Sequence, residues 1–193
     1  MDRAVESFIQ LIRGSHDNVG DEYYRLTTTY KPLGIVRERV FCYELYHQMR
    51  LIQSQRGLTD IQIHGEIDKS GHFEFDKDAQ KNPDFVFHIP GMMQGNAIVV
   101  EVKGKIEGNY QEGVYKDIVT LSKFTDNKHY YHSGVLIIYN YTYDEFLRKI
   151  GEFLKNRLQE KKFSTDKIMI LCKKSKNSPL QIRKLNDLLE EVE

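Results

Sequence analysis

The sequence predicts an α/β fold, and three observations predict it. Short runs rich in Val, Ile, Phe and Tyr recur at 61–67, 83–88, 97–102, 134–140 and 168–172, each too short for a helix. Longer segments with apolar residues at helical spacing lie before, between and after them. The runs at 83–88 and 97–102 are joined by Pro90-Gly91-Met92-Met93-Gln94-Gly95-Asn96, which carries enough turn formers to reverse the chain and make them antiparallel neighbours.

In chain order, Val5, Phe8, Ile9 and Ile12 mark a first helix over 2–13, which Gly14-Ser15 is expected to end. The stretch 16–34 is polar and aromatic, broken by Gly20 and Lys31-Pro32, and reads as a connector or a small elaboration of the core. A second helix over 36–53 follows, with Val36, Val40, Phe41, Leu45, Met49 and Ile52 as its apolar stripe. Ile61, Ile63, Gly65 and Ile67 alternate with polar residues in the first strand, and Phe73-Glu74-Phe75 can pair with it across Ser70-Gly71. After the antiparallel pair, 104–110 is a glycine-containing loop, and Val114, Ile118, Leu121 and Ser122 line a helix over 111–124. The buried strand 134–140 leads into Thr142-Tyr143-Asp144-Glu145, which has capping-box spacing, and a helix with Phe146, Ile150, Phe153, Leu154 and Leu158 inward. A last strand, 168–172, precedes a terminal helix opened by Ser178-Pro179.

With 193 residues and 40% hydrophobic content, the chain is expected to form one domain, 1–193. Lys plus Arg balances Asp plus Glu, so global charge selects no partner. Basic residues do outnumber acids between Arg148 and Lys184, a distribution that suits either a phosphate backbone or a solvated helix face. Cys42 and Cys172 sit in apolar surroundings as small core residues. No Cys-x-x-Cys occurs and the histidines lack ligand spacing, which leaves a structural zinc site without support. Neither a signal peptide nor a membrane-length apolar run is seen, so the expected compartment is the cytoplasm, with no membrane partner.

The chemistry concentrates at Pro83–Lys103. On a strand, residues two apart share a face, so Val99, Glu101 and Lys103 point one way and Ile98, Val100 and Val102 the other. An ion beside Ile98, Val99 and Val100 costs several kcal/mol unless it is paired or metal-bound. Asp84, at the start of the partner strand, can bring a second carboxylate to Glu101. Together with a backbone carbonyl, these oxygens suit a hard divalent cation such as Mg2+ or Mn2+. On the preceding helix Glu44 falls inside the apolar stripe, where it requires a cation or hydrogen bonds, from Arg37 or tyrosine hydroxyls if not from a metal site.

Pro83-Asp84 followed by Glu101-Val102-Lys103 resembles the PD-(D/E)xK nuclease superfamily, the restriction-endonuclease-like fold. The resemblance covers about 36–172. It implies a mixed β-sheet flanked by helices on both faces, with core order helix-strand-strand-strand-helix-strand, an N-terminal helical extension over 1–35 and a C-terminal helix over 178–193. It also implies a metal-dependent nuclease, an endonuclease acting on DNA ahead of RNA. Asp84, Glu101 and the Val102 carbonyl would hold Mg2+ or Mn2+, Glu44 would contact the metal or its water, and Lys103 would orient or deprotonate the attacking water or stabilise the transition state. Glu66 and Asp68, in Gly65-Glu66-Ile67-Asp68, are rivals to Asp84 as first acid. Gln111 and Tyr115 resemble the Gln-x-x-x-Tyr of the RecB-like branch and would bind substrate. The segments 38–50, ERVFCYELYHQMR, and 99–105, VVEVKGK, resemble microbial restriction-endonuclease-like proteins, some similar to phage-defence components; a homodimer or larger defence complex stays open. The alternative is a non-cleaving nucleic-acid-binding or assembly subunit of the same fold, against which the intact Asp, Glu and Lys argue.

Overall fold

In the computed structural model, residues 3–57, 62–65, 82–89, 95–126, 131–159 and 164–192 are described. Strand β5 (Asn96–Lys103) is the axis of a mixed sheet in the order β3-β4-β5-β6-β7-β8. Its partners are β3 (Gln62–Gly65), β4 (Phe85–His88), β6 (Ser133–Tyr139), β7 (Ile168–Lys173) and β8 (Gln181–Lys184). The pairs β3/β4, β4/β5 and β7/β8 are antiparallel, and β5/β6/β7 run parallel.

The parallel strands read as continuous apolar runs because both sheet faces are covered. On one face α1 (Arg3–Asn18) and α3 (Glu38–Gln55) pack Phe8, Ile12, Phe41, Leu45 and Met49 onto Phe85, Val100 and Ile137. On the other, α4 (Gln111–Asp126), α5 (Tyr143–Gln159) and α6 (Leu185–Glu191) pack Ile118, Leu121, Phe146 and Leu154 onto Val86, Val99, Leu136 and Ile170. Every residue of β6 is buried, as a strand between two helical layers requires. Cys42 and Cys172 are buried free thiols, as the sequence suggests.

Several boundaries depart from expectation. Gly14-Ser15 does not end α1. The Ser15 hydroxyl donates to the Leu11 carbonyl at 2.7 Å, and His16 and Val19 are buried, so core contacts carry the chain one more turn. A Cβ at Gly14 would lie 3.1 Å from Ile52 Cδ1, so glycine here serves close approach to α3 rather than termination. The stretch 16–34 holds α2 (Asp21–Tyr24) and most of a hairpin, β1 (Leu26–Thr28) and β2 (Lys31–Ile35). Helix α3 starts at Glu38, two residues later than expected.

The terminal helix does not open at Ser178-Pro179. Residues 181–184 instead form β8, with Gln181 opposite Cys172 and Lys184 opposite Met169, and α6 follows directly. Arg183 and Lys184 are exposed on this last strand, a charged edge that discourages further pairing. The strand expected at Phe73-Glu74-Phe75 lies outside the described residues. Among the described residues, no helix is long and apolar enough to cross a membrane.

Candidate active site

The register of β4 on β5 sets the site. Phe85 lies opposite Val100, which puts Asp84, one residue before the strand, across from Glu101. Alternation places Glu101 and Lys103 on the Val99 face, against α4. The Val102 amide donates to Asp84 Oδ2 at 2.7 Å and fixes that carboxyl over β5. The Asp84 and Glu101 carboxyls interact side chain to side chain across the strand pair.

Glu101 is 8% exposed. Burial first, then the Asp117 and Asp84 charges, push its carboxyl well above the usual range. Burial also raises Asp84, against the opposing pull of the Val102 amide and the Lys103 ammonium. Asp117, on α4, reaches in from the helical layer, and burial pushes it up to about 6 although Lys103 pulls the other way.

Lys103 is held from two sides. Its Nζ lies 3.0 Å from Asp117 Oδ2 and 3.5 Å from Glu38 Oε2. Burial works to lower its pKa, but Asp117 and Glu38 outweigh it and hold the group above the ordinary lysine range. Glu38 is the first residue of α3, and its Oε1 accepts the Gly104 amide at 3.3 Å. A Cβ at residue 104 would fall 2.2 Å from the Tyr139 ring and 2.5 Å from Val36, so only glycine lets the chain leave β5 this way.

The structure therefore joins Asp84, Glu101 and Lys103, as the sequence predicts, and adds Glu38 and Asp117. Glu44 is a correction. Its Oε1 accepts Gln48 Nε2 at 2.7 Å one turn along α3. At about 100° per residue, the six positions from Glu38 turn it to another side of the helix, so Glu38 is the acid that α3 sends to the cluster. Gln111 and Tyr115 are directed to α5 rather than to the acids: Gln111 Nε2 donates to the Lys149 carbonyl at 3.1 Å, and the buried Tyr115 ring lies 4.7 Å beneath the Arg157 guanidinium. Val102 contributes its amide, as described. The rivals Glu66 and Asp68 lie outside the described residues.

Asp117 had a readable signal. It sits three residues after Val114 and four before Leu121, inside the apolar stripe of its helix. Glu38, exposed to view only as a helix-start acid, had none. Part of the basic excess between 148 and 184 is committed within the fold. Lys149 pairs with Glu107, Arg157 with Glu112, Lys174 with Glu145 and Lys173 with Asp17, while Lys167 donates to the Thr125 carbonyl.

Among the described residues, no three His, Cys, Asp or Glu side chains form a ready ligand set. Asp84 and Glu101 nonetheless fit a hard divalent cation. Both are oxygen donors in contact across a strand pair, and burial disfavours the charged form of each. A cleft of about 530 Å3 opens beside Asp84, between α3 and the β3–β4 end of the sheet, and is lined by Arg39, Tyr43, Tyr46 and Phe85 among others. Comparison with family models, with curated proteins and with solved structures finds no match to this chain.

Proposed function

We propose that this chain is a metal-dependent phosphodiesterase that hydrolyses nucleic acid, built on a restriction-endonuclease-like version of its mixed sheet. The observation that carries the reading is the β4–β5 register, which sets Asp84 against Glu101 with Lys103 two residues along the same strand face. In keeping with the resemblance, DNA is the expected substrate ahead of RNA, in a restriction or defence setting.

Asp84 and Glu101 would hold Mg2+ or Mn2+ in their deprotonated form, so that binding releases protons. Bound there, such an ion supplies Lewis acidity and a water of lowered pKa. The protein's own part is electrostatic. Lys103, kept protonated by Asp117 and Glu38, is a fixed positive charge for the phosphate oxygens rather than a base for the water. Asp117 and Glu38 act as positioning residues, since they touch the ammonium and fix where it points.

The test is cleavage of labelled linear, circular, single-stranded and duplex substrates with Mg2+ or Mn2+, comparing wild type with Asp84→Asn, Glu101→Gln and Lys103→Met. Wild-type cleavage that needs the metal, and losses of roughly 100- to 1,000-fold or more in each variant, are expected. Titration with Mn2+ separates the roles, since the two carboxylate variants should lose ion binding and Lys103→Met should keep it. Absence of metal-dependent cleavage on every substrate would refute the proposal.

A further inference from the structure

The cleft beside Asp84 sets two tyrosines and an arginine next to the acids Glu38 and Asp84, a lining that suits a nucleotide. We propose that it binds an unpaired strand of nucleic acid, with a base stacked on Tyr43 and the backbone passing Arg39 toward Asp84. This rests on the phosphodiesterase reading of the neighbouring acids, because the cleft ends on one of them.

Arg39 and Tyr43 are four residues apart on α3, hence on one helix face, and both are exposed and line the cleft. Tyr43 is 61% exposed, and among the described residues its ring belongs to neither core cluster. Tyr46 continues the wall three residues on. Its ring stacks on Phe85 at 6.3 Å with planes 11° apart, and its hydroxyl donates to the Ile63 carbonyl at 3.2 Å, contacts that tie it to the sheet. Aromatic faces beside a guanidinium are a sequence-tolerant platform for unpaired bases.

A duplex cannot use such a platform. Its bases show only their edges, with their faces already occupied by neighbours in the stack. The volume of about 530 Å3 falls within the range that encloses a small flat ligand. Arg39 supplies the positive charge at the entrance, and Glu38 and Asp84 make the inner end negative, so a phosphate is drawn fully in only when a cation has reversed that sign.

The test uses anisotropy of labelled oligonucleotides with Ca2+ present to support binding: single-stranded DNA, single-stranded RNA of the same sequence, and the blunt DNA duplex. Either single strand should bind more tightly than the duplex, and the stronger of the two names the natural strand. Tyr43→Ala should weaken single-strand binding roughly tenfold, with Tyr43→Phe close to wild type and duplex binding unmoved. Arg39→Gln should reduce the salt slope of single-strand binding by about one. Duplex binding as tight as single-strand binding, or Tyr43→Ala binding at wild-type strength, would overturn the inference even with cleavage intact. Tyr43-dependent binding without cleavage under any metal would instead refute the phosphodiesterase reading and leave the cleft assignment standing. Tyr43 is on a helix surface, so its replacement by Ala should leave the circular dichroism spectrum and melting unchanged.

Discussion

Two lysines, Lys173 buried and Lys103 half-buried, close parallel strands of the same sheet, and their surroundings differ in one respect that separates structure from chemistry. Lys173 ends β7 on the α1 face, with its side chain 1% exposed. Its Nζ donates to Asp17 at 2.9 Å and to the Ser178 carbonyl at 2.6 Å, and the neighbouring His16 is neutral. One ammonium meets one carboxylate, and Asp17 is itself 68% exposed to water. Lys103 ends β5 on the opposite face, among Glu38, Asp84, Glu101 and Asp117. One ammonium meets four carboxyl groups. A fold gains nothing from that surplus; burial first, and the neighbouring carboxylates after it, raise the pKa of Asp84, Glu101 and Asp117. A buried charge that is matched serves stability; a surplus of acids around one ammonium is the arrangement expected where chemistry rather than stability sets the residues.

The largest expected contrast is in stability. Lys173→Met should change it by no more than about 1 kcal/mol, because Asp17 returns to water and an apolar side chain of similar size fills the space. Lys103→Met should cost about 3 kcal/mol at pH 7, because it leaves buried carboxyls with no cation. Urea denaturation of both variants reads this directly. Equal costs would erase the distinction between the two lysines.

A second contrast concerns metal. At roughly 100 times its dissociation constant, Mn2+ should stabilise the wild-type protein by about 2.7 kcal/mol. Lys173→Met should show the same gain, and Glu101→Gln and Asp84→Asn should show none. Thermal melts with and without chelator check it, and a gain retained in Glu101→Gln would place the ion elsewhere.

What could be read from the sequence follows how local each cause is. Asp84, Glu101 and Lys103 were legible because strand alternation and a hairpin turn fix their relation within 20 residues of chain. Glu38 was not, since its place depends on how α3 docks against the end of β5, 65 residues away, and on Gly104 allowing that approach. Glu44 misled for the opposite reason: a polar residue inside an apolar stripe implied a buried charge, but Gln48 one turn along satisfies it locally. The same stripe argument applied to Asp117 points to a half-buried acid that Lys103, on another element, answers. Spacing shows that an acid is near a core; only packing shows whether a neighbour has already answered it. Strand β8 was illegible because Gln181–Lys184 has a single aliphatic residue, Ile182, and forms only because β7 offers it an edge.

The smallest and sharpest contrast is in the response to acid, where the two clusters act with opposite sign. Both histidine nitrogens of His16 lack hydrogen-bond partners among the described residues, and burial, then the Lys173 charge, lower its pKa from 6.5 to about 3; Asp17 opposes this weakly, and the remaining ring neighbour, Phe41, is uncharged. Between pH 3 and 6.5 the unfolded chain therefore binds a proton here that the folded chain refuses, so stability is lost as pH falls through that window. Asp117 runs the other way. Its folded pKa of about 6 exceeds the unfolded value of 3.8, so the folded chain binds the extra proton and stability is gained as pH falls between those values. Glu101 adds to that gain, since its folded pKa is also raised. Each single proton contributes a slope of up to about 1.4 kcal/mol per pH unit, and in the metal-free wild type the slopes oppose one another between pH 4 and 6. His16→Leu should remove one side, giving a protein that grows more stable from pH 6 to 4. Asp117→Asn should remove part of the other, giving one that loses stability faster than wild type over the same range. Urea midpoints at pH 4, 5, 6 and 7 in the presence of chelator measure both, and identical pH profiles for His16→Leu and wild type would show that the histidine is not held neutral by the fold.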